Sequence, residues 1–142
     1  MEWGRDDGYV VTDDPARIDL ERVHHWLSVE SYWATGRSIE TVAKSLRTSI
    51  TLSCLSPDAV HVGIARWVTD GATFGWLSDV FIDTPYRGKG LGLFLLQCAV
   101  NHPDVKGIDR LLLATSDAHE LYRQVGFVEL SEPGRWMERR SV

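Results

Sequence analysis

Apolar positions recur along this chain with two periods, and the switches between them mark out its elements. Met1 to Gly8 is polar and charged and is expected to fray. Tyr9 to Thr12 predicts a short strand closed by Asp13-Asp14-Pro15. Leu20, Val23 and Leu27 then repeat with helical spacing behind Asp19, a capping residue. After the aromatic stretch Ser31-Tyr32-Trp33, Ser38 caps a second helix with Ile39, Val42, Ala43 and Leu46 on one side. Strands are predicted over Ile50 to Leu55, Ala59 to Val68 and Thr73 to Ile82. The turns between them are Ser56-Pro57-Asp58 and Asp70-Gly71. Leu91 to Val100 is apolar nearly all round, as a helix lying on a sheet would be, and His102-Pro103 ends it. Arg110 to Ala114 is a short continuous apolar run, the mark of a strand covered on both faces. Ser116 is placed to cap a last helix over Asp117 to Val125, which stops at Gly126. Phe127 to Leu130 and Trp136 to Arg139 read as closing strands around Glu132-Pro133-Gly134.

The resulting order, β-α-α-β-β-β-α-β-α-β-β, is that of an α/β protein, and 142 residues make one domain. No linker or repeat justifies a boundary. Charge narrows the function. A net charge of −5 speaks against a nucleic-acid partner, so any cluster of positive charge serves a small polyanion instead. Neither a signal peptide nor an apolar run of about 18 residues is visible, so no membrane partner and a cytoplasmic location are expected. The two cysteines, Cys54 and Cys98, fall in a strand and an apolar helix and read as buried thiols. Nothing has metal-ligand spacing.

The chemistry concentrates at Arg87-Gly88-Lys89-Gly90-Leu91-Gly92, between the longest strand and the apolar helix. Glycines let an anion approach backbone N–H donors, and the helix that follows adds its own unpaired N–H groups and the positive end of its dipole. Arg87 and Lys89 bring mobile positive charge. This is a phosphate cradle. A dinucleotide fingerprint would need glycine at Leu93, and a P-loop would need Lys-Ser or Lys-Thr after the last glycine, so both fail on spacing.

What remains is R-x-x-G-x-G at Arg87, Gly90 and Gly92. Tyr86 precedes it, and Ala118-His119-Glu120-Leu121-Tyr122 through Gly126-Phe127 lies downstream in the pattern A-x-x-L-Y-x-x-x-G-F. These two motifs in this order resemble the GNAT family of N-acetyltransferases from about Thr73 to Arg139. The resemblance implies a single-domain fold with a mixed, mostly antiparallel sheet flanked by about four helices, its strands splayed where acyl-CoA binds. It implies acetyl-CoA as co-substrate, its pyrophosphate on Gly88, Lys89, Gly90, Leu91 and Gly92 with Arg87 assisting. Pantetheine would lie along Val80, Phe81 and Ile82. Thr115 stands where many members carry a cofactor-contacting asparagine. By the same resemblance Tyr122 is the acid that protonates the departing thiolate. Asp79 is the base or amine contact, with an ordinary ion pair as its alternative. Trp26, Tyr32, Trp33 and His119 are candidates to line the acceptor pocket, although core packing or solvent exposure accounts for each equally simply. The expected activity is direct acetyl transfer to a primary amine of a small molecule. A protein or peptide acceptor, and a non-catalytic acyl-CoA-binding module, are the alternatives. Homodimers are common in the resembled family.

Overall fold

The computed structural model describes residues 1–141 as one six-stranded sheet in the order β1-β2-β3-β4-β5-β6. The strands are β1 (Glu2–Gly4), β2 (Val10–Thr12), β3 (Ile50–Leu55), β4 (His61–Thr69), β5 (Gly75–Ile82) and β6 (Leu111–Leu112). All neighbours are antiparallel except β5 and β6, which run parallel. Four helices flank the sheet: α1 (Leu20–His25), α2 (Ile39–Arg47), α3 (Leu91–Val100) and α4 (His119–Arg123). No helix among the described residues is long and apolar enough to cross a membrane.

Two cores form, one on each face. α3 packs Leu91, Leu95 and Leu96 against Leu52, Trp67 and Leu77. On the other face α1, α2 and the turn after α1 pack Val23, Trp26, Leu27, Val42 and Leu46 against Ile64 and Phe81. Both helices on that side start at the expected caps: Asp19 accepts the N–H of Arg22, and Ser38 that of Thr41. Both cysteines are buried and free, and burial pushes Cys54 up to about 12 and Cys98 up to about 11.

The structure departs from the expected elements at both ends. Met1 to Gly8 does not fray: Glu2–Gly4 pairs with Val10–Thr12, and Gly8 N–H closes the connecting turn on the Arg5 carbonyl. Neither Phe127 to Leu130 nor Trp136 to Arg139 is a strand; a 3-10 turn at Pro133–Arg135 lies between them. Strand-like composition needs a neighbouring ladder, and β6, reduced to two residues, offers almost none. Ser116 does not cap α4. Thr115 Oγ1 accepts the N–H of Ala118 instead, and α4 begins at His119.

A bulge in β5 matters most for the site. Ile64 pairs with Phe81 but Arg66 with Ser78, so β5 carries one extra residue there, and Asp79 takes φ 54. Simple alternation puts Leu77, Asp79 and Phe81 on one face. The extra residue reverses the alternation, so Leu77 joins the α3-side core and Phe81 the α1–α2 side.

Candidate active site

β5 and β6 are hydrogen-bonded partners only at Gly75–Leu111 and Trp76–Leu112. Beyond that point they part, and a cleft of about 870 Å³ opens between them. Ser78 to Ile82 form one wall, Ala114 to Ala118 with Leu121 and Tyr122 the other. Gly88, Gly90, Leu91 and Gly92 close one end. Divergent strands leave backbone N–H and C=O groups without ladder partners, which suits a ligand that carries amides of its own.

The glycine loop owes its shape to left-handed backbone at Gly88 (φ 80) and Gly90 (φ 74), a region any Cβ would strain. Gly90 is the N-cap of α3 and supplies no capping side chain, and the first helical bond runs from Phe94 N–H to the Gly90 carbonyl. The N–H groups of the first turn are thus left for an anion in the cleft. The residues fit a pyrophosphate on chemical grounds: backbone donors, a helix N-terminus and an arginine converge there. Arg87 lines the cleft, donating Nε–H to the Ile82 carbonyl at 2.8 Å while its guanidinium lies 4.9 Å over the Phe81 ring. Lys89 does not line the cleft; its carbonyl points away and accepts Arg5 Nη1 at 2.9 Å.

Tyr122 projects from α4 into the cleft, held edge-to-face by Phe127 with ring centroids 6.2 Å apart. Burial, with Tyr32 and Asp117 nearby, pushes its phenol up to about 12, so it stays protonated through neutral pH. Among the described residues, Tyr32 Oη accepts the Ser116 N–H at 3.0 Å and so bridges the α1–α2 loop to the β6–α4 loop across the cleft. Hydrogen bonding from Ser116 holds the Tyr32 phenol below its ordinary value. Thr115 also lines the cleft.

Asp79 is enclosed. Its side chain has no exposed surface; Oδ1 accepts Trp33 Nε1–H at 2.8 Å, and Oδ2 accepts Arg37 Nη1 at 2.9 Å and Arg66 Nε at 3.0 Å. Arg66 reaches on to Ser49 and Ser78. Arg66 is therefore in a buried pair, and the loop carrying Trp33 and Arg37 is tied to the β5 bulge. Tyr32 and Trp33 stack edge-to-face at 5.0 Å and line the cleft together with Glu30, a residue sequence reasoning passed over. Two other candidates lie elsewhere. Trp26 is 2% exposed, stacked on Phe81 at 5.7 Å within the core, and His119 lines not the cleft but an adjoining cavity with Phe127 and Leu130, which Thr115 and Tyr122 also border. Among the described residues no group of three His, Cys, Asp or Glu side chains gathers as a metal site would.

A family model described as an acetyltransferase (GNAT) domain matches residues 55–129. A solved structure from Xanthomonas campestris pv. campestris, assigned to the GNAT acetyltransferases, superposes with a TM-score of 0.90 at 34% identity, covering 94% of this chain and 93% of that one. A Gibberella zeae protein whose name assigns it acetyltransferase activity is 29% identical over 86% of this chain and 79% of its own. A Staphylococcus aureus structure shares the fold, with a TM-score of 0.74 at 20% identity over 94% of this chain and 99% of that one. The chain belongs to the GNAT acetyltransferase family. Its activity is accordingly of the acyltransferase class, with acetyl-CoA the co-substrate the family uses.

Proposed function

We propose that the cleft between β5 and β6 carries acetyl transfer from acetyl-CoA to the primary amine of a small molecule, both bound at once. The observation that carries this reading is the parting of β5 from β6 beyond Trp76, with the glycine cradle at one end and Tyr122 on the opposite wall. When bound, acetyl-CoA supplies a thioester whose carbonyl carbon takes the amine and whose sulfur leaves. Gly88 to Gly92 would hold its pyrophosphate through backbone N–H groups, with the Arg87 terminal nitrogens supplying positive charge beside it. The free edge of β5 at Val80 to Ile82 holds the pantetheine amides and fixes the thioester against the amine. Tyr122, kept protonated by burial, donates its proton to the departing sulfur; the same burial raises the affinity of that sulfur for a proton.

For Asp79 the contacts favour the ion pair, the alternative to a base. Its side chain has no exposed surface and already accepts from two guanidiniums and an indole N–H, so it presents no open face to the amine. We assign it as a positioning residue that anchors Trp33 and the acceptor loop to β5, and the amine sheds its proton to water. The bridge from Tyr32 to Ser116 narrows the cleft, which favours a small acceptor over a polypeptide threaded through it.

Calorimetric titration with acetyl-CoA, followed by a thiol-release assay across amino acids, polyamines, aromatic amines, aminoglycosides and a lysine peptide, tests the reading. Micromolar binding and amine-dependent thiol release are expected. Binding without release from any amine identifies a non-catalytic acyl-CoA module, and release with the peptide alone moves the acceptor to the protein class.

A further inference from the structure

We propose that Arg5, on the turn joining β1 to β2, is a positioning residue of the pyrophosphate loop: it fixes the Lys89–Gly90 peptide so that the Gly90 N–H faces the cleft. The inference rests on the reading of that cleft as the acetyl-CoA site. Arg5 lies 84 residues from the loop it touches. Its guanidinium donates Nη1–H to the Lys89 carbonyl at 2.9 Å, and that carbonyl belongs to the peptide whose nitrogen is Gly90. A trans peptide is planar, with its C=O and N–H pointing in opposite directions. Drawing the carbonyl toward Arg5, outside the cleft, therefore turns the Gly90 N–H the other way. Gly90 lines the cleft and Arg5 does not.

The peptide needs such a hold. Its plane turns about ψ of Lys89 and φ of Gly90. Gly90 is in left-handed backbone and gives the chain more freedom at that joint than any other residue would, and the next peptide back begins at Gly88, also left-handed. With glycine at one end, a compensating change of Lys89 ψ and Gly90 φ lets the peptide flip, presenting a carbonyl oxygen to the phosphate in place of an N–H. Arg5 is itself built in from three sides. Asp7 takes Nε at 2.9 Å and Nη2 at 2.6 Å in a bidentate pair, and the guanidinium carbon lies 5.3 Å from the Tyr9 ring and 5.6 Å from the Phe94 ring. Phe94 is on the first turn of α3, so one side chain grips both the loop and the helix that follows it. The hydrogen bonds it donates to the Asp7 carboxylate hold the guanidinium firmly charged. Because Asp7 balances that charge, the contribution of Arg5 is orientation of the peptide more than attraction of the phosphate.

The test compares two thioester donors, acetyl-CoA and acetyl-pantetheine, which share the reacting end and differ in the pyrophosphate. Wild type is expected to favour acetyl-CoA in kcat/KM. In Arg5→Ala the ratio of kcat/KM for the two donors is expected to fall about tenfold, the scale of one positioned hydrogen bond to a charged group. A residue that merely supported the fold would depress both donors together and leave the ratio unchanged. Asp7→Asn is the milder second variant. It leaves Arg5 in place but loosens it, and a fall of a few-fold is expected. An unchanged ratio in both variants, with wild type still favouring acetyl-CoA, overturns the role of Arg5 alone. A wild type that binds no acetyl-CoA overturns the reading of the cleft instead.

Discussion

At Asp79 a carboxylate that the family resemblance offers as base or amine contact, with an ion pair as the alternative, sits inside a knot of donors. A bulge supplies the geometry, because an extra residue in left-handed backbone swings the side chain toward Arg66 and the α1–α2 loop, and aspartate tolerates that backbone better than most residues. Asp79→Asn keeps shape and backbone preference but leaves two guanidiniums facing a neutral amide. We expect a loss of roughly 3 kcal/mol in denaturant unfolding, the scale of a broken buried pair. We also expect a raised KM for the amine and an acid limb of the pH–rate profile that persists in the variant. Disappearance of that limb would restore Asp79 as the base. Tyr122→Phe should lower kcat by about a hundredfold while leaving the acetyl-CoA dissociation constant unchanged. Because burial holds the phenol at about 12, this residue should impose no alkaline fall in rate below about pH 11. A fall centred near pH 10 would mean an unburied phenol.

Elements are joined here by single side chains that reach between them. His61 on β4 accepts the N–H of Asp19, the cap of α1, at Nδ1 and donates from Nε2 to the Gly63 carbonyl. Burial lowers it to about 4, so it is neutral in the folded protein. The unfolded chain binds a proton near pH 6.5 that the folded chain refuses until about pH 4. The stability His61 contributes is therefore full above pH 6.5 and is lost as pH falls toward 4, by about 3 kcal/mol. Urea unfolding at pH 7 and pH 4.5 should show this loss in wild type and a smaller one in His61→Gln; equal losses would place the acid sensitivity elsewhere. The hairpin of β1 and β2 reaches further still, carrying Arg5 to the glycine loop. Its signal is in the chain as Asp7-Gly8, a hairpin dipeptide between Trp3 and Tyr9, masked by the polarity of the residues around it.

The molecule as a whole is two halves of a sheet that separate where they are needed. β1 to β5 form a continuous antiparallel body, and β6 with α4 joins it through two residue pairs, the Tyr32–Ser116 bridge and the packing of Leu111, Leu121 and Phe127 on the α3-side core. A ligand filling that gap ties the halves together and binds only the folded state. At a hundredfold excess over its dissociation constant, acetyl-CoA should stabilise the protein by about 2.7 kcal/mol, raising Tm by roughly 5–10 °C. Acetyl-pantetheine at the same concentration should raise it less. No shift with acetyl-CoA would mean that the cleft is not its site.

Local rules decided much of this from sequence. The caps Asp19 and Ser38 need only the next turn of helix, and the glycine spacing of residues 87–92 needs only the geometry of a backbone that must approach an anion. Motifs of that kind can be read because their partners lie within a few residues. Tertiary structure decided what depends on a distant partner. Phe127 to Leu130 has strand composition without a ladder to join. Asp79 faces where a bulge turns it, and its role follows from Arg37 and Arg66, which lie 42 and 13 residues away. Arg5 matters because a hairpin folds it under a loop 84 residues downstream. Period and spacing encode the elements whose partners are close in the chain, and the chemistry they carry. Which side chain meets which is set by packing, because burial fixes a contact only once both surfaces are in place.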